Sequence, residues 1–226
     1  MKKKWTLIIS MLCIAALCFS GCGTSSKIEG KPFDVDGAGY YYNLIDTALL
    51  HGFAFHFQDD IKGQVMSIEV WQNGSCTDNY VLWNGGVGTK TENEYYLTLN
   101  RVRDIENNWI GAELEGLTYH ADHETAVQAR LASVQFMFPE KATAYSFQAL
   151  GDTITVEPGS EHILAFWDIS WNNRLKSMNL DTLKYSDYQE TIQECDYIIL
   201  LKMQLFDSEE EAYAAADEIE EQHDNA

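Results

Sequence analysis

Positive charge is what this chain has least of. Fifteen Lys and Arg face 35 Asp and Glu, and the formal net charge is −20. A surface this negative repels nucleic acid and anionic lipid heads alike, so neither is a partner through charge. Catalytic signatures are missing as well: there is no G-x-S-x-G elbow, no S-x-x-K and no H-E-x-x-H. Beyond residue 21 there is no C-x-x-C. Asp34-Val35-Asp36-Gly37 opens like a calcium loop but lacks the third early ligand and the distal Glu, so it reads as a turn. The stretch from Asn84 to Lys90 is glycine-rich but lacks the phosphate-loop spacing, and no helix pattern follows it. No cofactor is implied. An enzyme is not excluded, because the carboxylates of glycosidases carry no short signature.

Apolar residues make up 46% of the chain and aromatics 12%, which fits a folded protein rather than a disordered one. The longest apolar run lies at the start. Lys2, Lys3 and Lys4 precede Leu7–Leu17, and Phe19-Ser20-Gly21-Cys22 follows. A basic start, a short apolar stretch and small residues before a cut predict a secretory signal over residues 1–21. The run is too short to span a bilayer as a helix.

The Ser20-Gly21-Cys22 ending resembles the lipobox of bacterial lipoproteins, with Phe19 where that family usually has Leu. The resemblance covers residues 1–22 only. It implies that Cys22 carries a diacylglycerol and becomes the first residue of the mature chain, on the extracytoplasmic face of a bacterial membrane. Two acyl chains are enough for stable anchoring, which an acidic surface could not supply. Removal of the signal also removes Cys13 and Cys18, so Cys76 and Cys195 are the cysteines left besides the anchor. Export permits a disulfide between them, closing a loop of about 120 residues and worth roughly 4–5 kcal/mol in the chain-entropy model. Two separate buried thiols are the other reading.

Residues 22–39 read as a flexible tether, because glycines and Pro32 interrupt any regular element. Tyr41–Leu50 has helical spacing. From Phe53 onward period-two alternation dominates. Met66, Ile68 and Val70 alternate with Ser67, Glu69 and Trp71, and Asn73-Gly74 predicts a hairpin turn. Ile110, Ala112 and Leu114 repeat the pattern, as do Ala132–Phe138 before Pro139. Segments 162–170 and 197–205 are apolar on both faces and predict central strands. Residues 171–190 lose the alternation and read as a long loop, a type of segment that often carries function. Ser208 and Glu211 predict a capping box for an acidic helix. The expectation is a mainly β chain: one antiparallel β-sandwich over residues 40–206, a short N-terminal helix, and an acidic C-terminal helix within 207–226. A split into two small domains near 120–128 is the alternative.

Two clusters could carry chemistry. His120, Asp122, His123 and Glu124 have ligand types suited to a divalent ion, against which stands a plain solvated loop. Strict alternation puts Trp71 with Glu69, and Trp109 with Glu113, on the polar faces of their strands, while Trp171 opens the irregular segment. Exposed indoles beside carboxylates can stack on sugar rings and accept their hydroxyl hydrogen bonds. The other reading is that a further layer covers both faces. The leading expectation is therefore a lipid-anchored binding or interaction module, with a glycan or an envelope protein as partner. A carbohydrate-processing enzyme comes second, and a structural envelope lipoprotein without a small ligand third.

Overall fold

The computed structural model describes residues 26–31, 49–57, 61–87, 92–122, 125–151, 153–178, 180 and 184–224. The signal, Cys22 and the helix expected over 41–48 lie outside these residues. In chain order the strands are β1 (Ser26–Lys31), β2 (Leu49–Phe57), β3 (Ile61–Gln72), β4 (Ser75–Val87), β5 (Glu92–Arg103) and β6 (Trp109–Asp122). They continue with β7 (Thr125–Met137), β8 (Ala144–Ala149), β9 (Thr153–Val156), β10 (Glu161–Ser170) and β11 (Tyr197–Phe206). A 3-10 turn over Tyr185–Tyr188 leads into α1 (Gln189–Gln193), and α2 (Glu209–Asp224) follows β11.

The chain is mainly β, in two antiparallel sheets. One has six strands in the order β7-β6-β5-β2-β1-β9, the other five in the order β4-β3-β11-β10-β8. Period-two alternation gives each sheet an apolar inner face. Ile28, Leu99, Leu114 and Phe136 from the first sheet meet Met66, Ile68, Val70, Trp167, Ile199 and Leu201 from the second in one core. The β3–β4 hairpin turns at Asn73 and Gly74 with φ of 49° and 80°, which is why Asn-Gly is needed there.

β10 and β11 are central strands, as their two apolar faces predict, because the outer side of the five-stranded sheet is covered too. Over one end, Met178, Leu180, Tyr188, Ile192 and Cys195 cover Ile163, Phe166, Ile198 and Leu200. Over the other, α2 docks Ala212 and Ala216 on Val65. The chain enters α2 across Gly63, where any Cβ would fall 2.0 Å from the Ser208 carbonyl oxygen, so only glycine admits the crossing. The capping box forms in part: Ser208 Oγ accepts from Glu211 N at 3.2 Å, while the Glu211 carboxylate accepts from Asp207 N.

Three expectations change. Ser26–Lys31, read as tether, is β1, paired with β2 and β9. Its Ile28 is an apolar residue buried in the core, and burial outweighs the glycines around it. Leu49 and Leu50, read as the end of a helix, begin β2. The polar stretch 120–128 is no boundary or long loop: β6 runs to Asp122, β7 starts at Thr125, and the two pair throughout as a hairpin of one sheet. Cross-strand hydrogen bonds do not require apolar side chains, so polarity there hid a strand.

Candidate functional site

Between the two covering pieces, the outer face of the five-stranded sheet carries a polar strip. Glu69 on β3 is its centre and is buried. Three donors converge on its carboxylate: Lys202 Nζ at 2.5 Å, Tyr185 OH at 2.5 Å and Trp71 Nε1 at 3.0 Å. Lys202 lies on β11, also buried, with the face of the Tyr185 ring 4.8 Å from its Nζ. Glu161 Oε1 on β10 stands 3.7 Å from the same Nζ. Burial, then the Glu69 charge beside it, holds the Tyr185 phenol far above its ordinary range, so it remains a donor. A charge pair this buried is retained only when its remaining sites are satisfied, and here Glu69 has every oxygen engaged.

This strip floors a cleft of about 610 Å³ roofed on one side by α2. Glu69, Asn79, Glu161, Lys202, Gln204 and Phe206 come from the sheet; Glu211, Ala214, Ala215, Glu218 and Ile219 come from α2. Four carboxylates thus face one ammonium, which Glu69 already neutralises. Asn79 pairs across from Glu69, and its Oδ1 is buried without a hydrogen-bond partner. The lining therefore offers acceptors and wants donors, with Phe206 and Ile219 as apolar wall. A smaller pocket of about 260 Å³ shares Glu161 and runs to Ser160, Lys184 and Ser186.

The residues expected to form one aromatic surface are dispersed over several faces. Trp71 and Glu69 do lie on the outer face of β3, but Trp71 is half-buried against the layer formed by Tyr188, Ile192 and Cys195. Trp109 points the other way. In the β5–β6 ladder Gly111 pairs with Val102 and Trp109 with Arg103, so Ile110 is an extra residue. That bulge reverses parity and turns Trp109 inward, onto Phe138 and Tyr145. Glu113 stays outside on the six-stranded sheet, accepting from Ser133 Oγ at 2.8 Å. Trp171 packs at the rim of the core, 6.1 Å from the Tyr197 ring. An open Trp71–Trp109 strip does not exist.

Of the two readings of Cys76 and Cys195, the disulfide is not the one formed. Cys76 and Cys195 are free thiols, Cys76 exposed and Cys195 buried under α1 with its Sγ donating to Thr191 O at 3.4 Å. Of the metal cluster, His123 and Glu124 lie outside the described residues, and His120 and Asp122 are placed only as backbone at the end of β6. Among the described residues no group of three His, Cys, Asp or Glu could hold a metal ion.

Lys202 and Asn79 were missed in the sequence. Lys202 had a readable signal: it is one ammonium inside a strand apolar on both faces, and such a group needs a buried partner. Asn79 had none. Comparison with known proteins yields no match to a family model, to a curated protein or to a solved structure.

Proposed function

We propose that this protein is a non-catalytic binding module, anchored through a lipid on Cys22 to the extracytoplasmic face of a bacterial membrane, and that it takes a hydroxyl-rich ligand of the glycan class in the cleft beneath α2. The observation that carries the reading is the acceptor-dominated lining, with Asn79 Oδ1 buried and unpartnered at its floor. Sugar hydroxyls supply the missing donors, and a sugar's C–H face suits Phe206 and Ile219. An uncharged glycan also avoids the repulsion that a net charge of −20 imposes on anionic ligands.

The enzyme reading has one observation in its favour, since Glu69 and Glu161 approach each other across Lys202. A glycosidase needs one carboxyl free to give a proton and another free to attack or activate water. Glu69 is engaged by three donors, which favours binding over turnover.

A glycan array and a peptidoglycan pull-down with the mature protein test the proposal. Retention on at least one glycan is expected, with Asn79→Ala and Glu161→Gln each weakening it at least about tenfold, the order of a lost buried hydrogen bond. Absence of retention on every glycan rejects it, and hydrolysis of the bound glycan would favour the enzyme.

A further inference from the structure

Residues 171–178 cross the outer face of β10 and β8 with no regular structure of their own. Side chains of those two strands hold their main chain. Arg174 N donates to Ser170 Oγ at 3.0 Å, Lys176 N to Asp168 Oδ2 at 2.5 Å and Met178 N to Gln148 Oε1 at 2.7 Å. Ser146 Oγ donates to Lys176 O at 3.0 Å. Asp168 pairs with Ser146 across the β10–β8 ladder, so one face of two strands supplies most of the seat, and Asp196 adds to it by accepting from Asn172 Nδ2 at 3.0 Å.

Among the strand residues of the seat, Ser146, Gln148, Asp168 and Ser170, only Asp168 is ionisable. It is fully buried, its Oδ2 is held by the crossing segment, and its Oδ1 has no hydrogen-bond partner. A carboxylate with one oxygen bare in a closed site is a costly place for a charge. The charged and titratable groups facing it are the Cys195 thiol and Asp196 before β11, and Lys176 on the segment itself. The Lys176 ammonium points outward to pair with Glu194, beyond α1. From β8 come only Ser146 and Gln148. Burial pushes the Asp168 carboxyl up to about 6, against the pull of the Lys176 N–H and of the neighbouring Cys195 thiol.

We propose that residues 171–178 form a proton-gated strap, which lies closed over Asp168 when that carboxyl is protonated and loosens when it ionises. With the strap lifted, Asp168 faces water and returns to its ordinary value of 3.8. Closure therefore takes up a proton. It is firmest below about pH 4, weakens as pH rises to about 6, and changes no further above that. Two pH units of linkage bound the change in the open-to-closed ratio at about 100-fold. The strap carries Met178, one of several residues over Phe166 and Ile198, so loosening of the strap thins that cover as pH rises.

Hydrogen exchange on the full chain tests this at the Arg174, Lys176 and Met178 amides, corrected for intrinsic rates. Their opening constant should rise on the order of 10- to 100-fold from pH 4 to pH 7. It should exceed that of Ile199 and Leu200 at every pH, as local opening requires. Asp168→Asn should hold it constant. A flat profile in the natural protein, an equal rise in Asp168→Asn, or opening shared with Ile199 and Leu200 would overturn the proposal. Should Asp168→Asn fail to fold, the carboxyl carbon of Asp168 reports directly: a midpoint near 6 supports the strap, and one near 4 overturns it.

Discussion

Glu69 shows how much a single side chain can organise on a sheet surface. Its carboxylate joins β3 to β11 through Lys202, to the 3-10 turn through Tyr185, and to its own strand through Trp71. Replacing Lys202 alone with Met should leave an uncompensated buried charge and cost about 3–5 kcal/mol in urea unfolding. The pair Glu69→Leu with Lys202→Met should recover most of that loss, because neither charge then remains. If the double variant is no more stable than the single one, the ion pair is not the source of the cost. The thiols make a second prediction at this scale. In the native protein a thiol reagent should label exposed Cys76, slowly because its thiol is pushed up to about 11, and spare buried Cys195, pushed up to about 12. Both should react once the protein is unfolded without reductant; if neither does, the disulfide exists after all.

At the scale of elements, bulges decided what the sequence could reveal. Alternation located β3 and β6, because burial on a pleated sheet has period two, while apolar residues on both faces located β10 and β11 and marked them as central. It then misplaced Trp109, since one extra residue at Ile110 inverts every face assignment beyond it and no side chain announces the insertion. β1 escaped notice because it is short and brings one large apolar residue, Ile28, to the core. The cleft was illegible for a different reason: it arises where α2 lies over a sheet, and Asn79 and Ile219 come together only in the fold. Inserting one Ala between Val102 and Arg103, so that Ile110 gains a cross-strand partner, tests the bulge. Trp109 should swing outward, its emission should shift to the red, and the fold should lose about 3 kcal/mol, the lower end for emptying a Trp site. An unchanged emission maximum would mean that the strand re-forms the bulge elsewhere.

The whole molecule has a core between two sheets and a third, partial layer on the outside of the five-stranded one. That layer holds both the cleft and the strap, whereas described glutamates such as Glu113 mark the outer side of the other sheet. Among the described residues no helix is long and apolar enough to cross a membrane. The proposed lipid anchor is tested at Cys22: Cys22→Ser should abolish labelling by a fatty-acid analogue and move the protein from the membrane fraction to the soluble one. Unchanged labelling would remove the lipid anchor from the account. The claim that the cleft beneath α2 is the binding site is tested most directly by backbone amide NMR during titration with the glycan retained best on the array. The account predicts shifts concentrated at Asn79, Glu161, Lys202 and Ile219, with Trp109 and Glu113 unmoved. Shifts centred on Glu113 and Ser133, with the cleft silent, would contradict it.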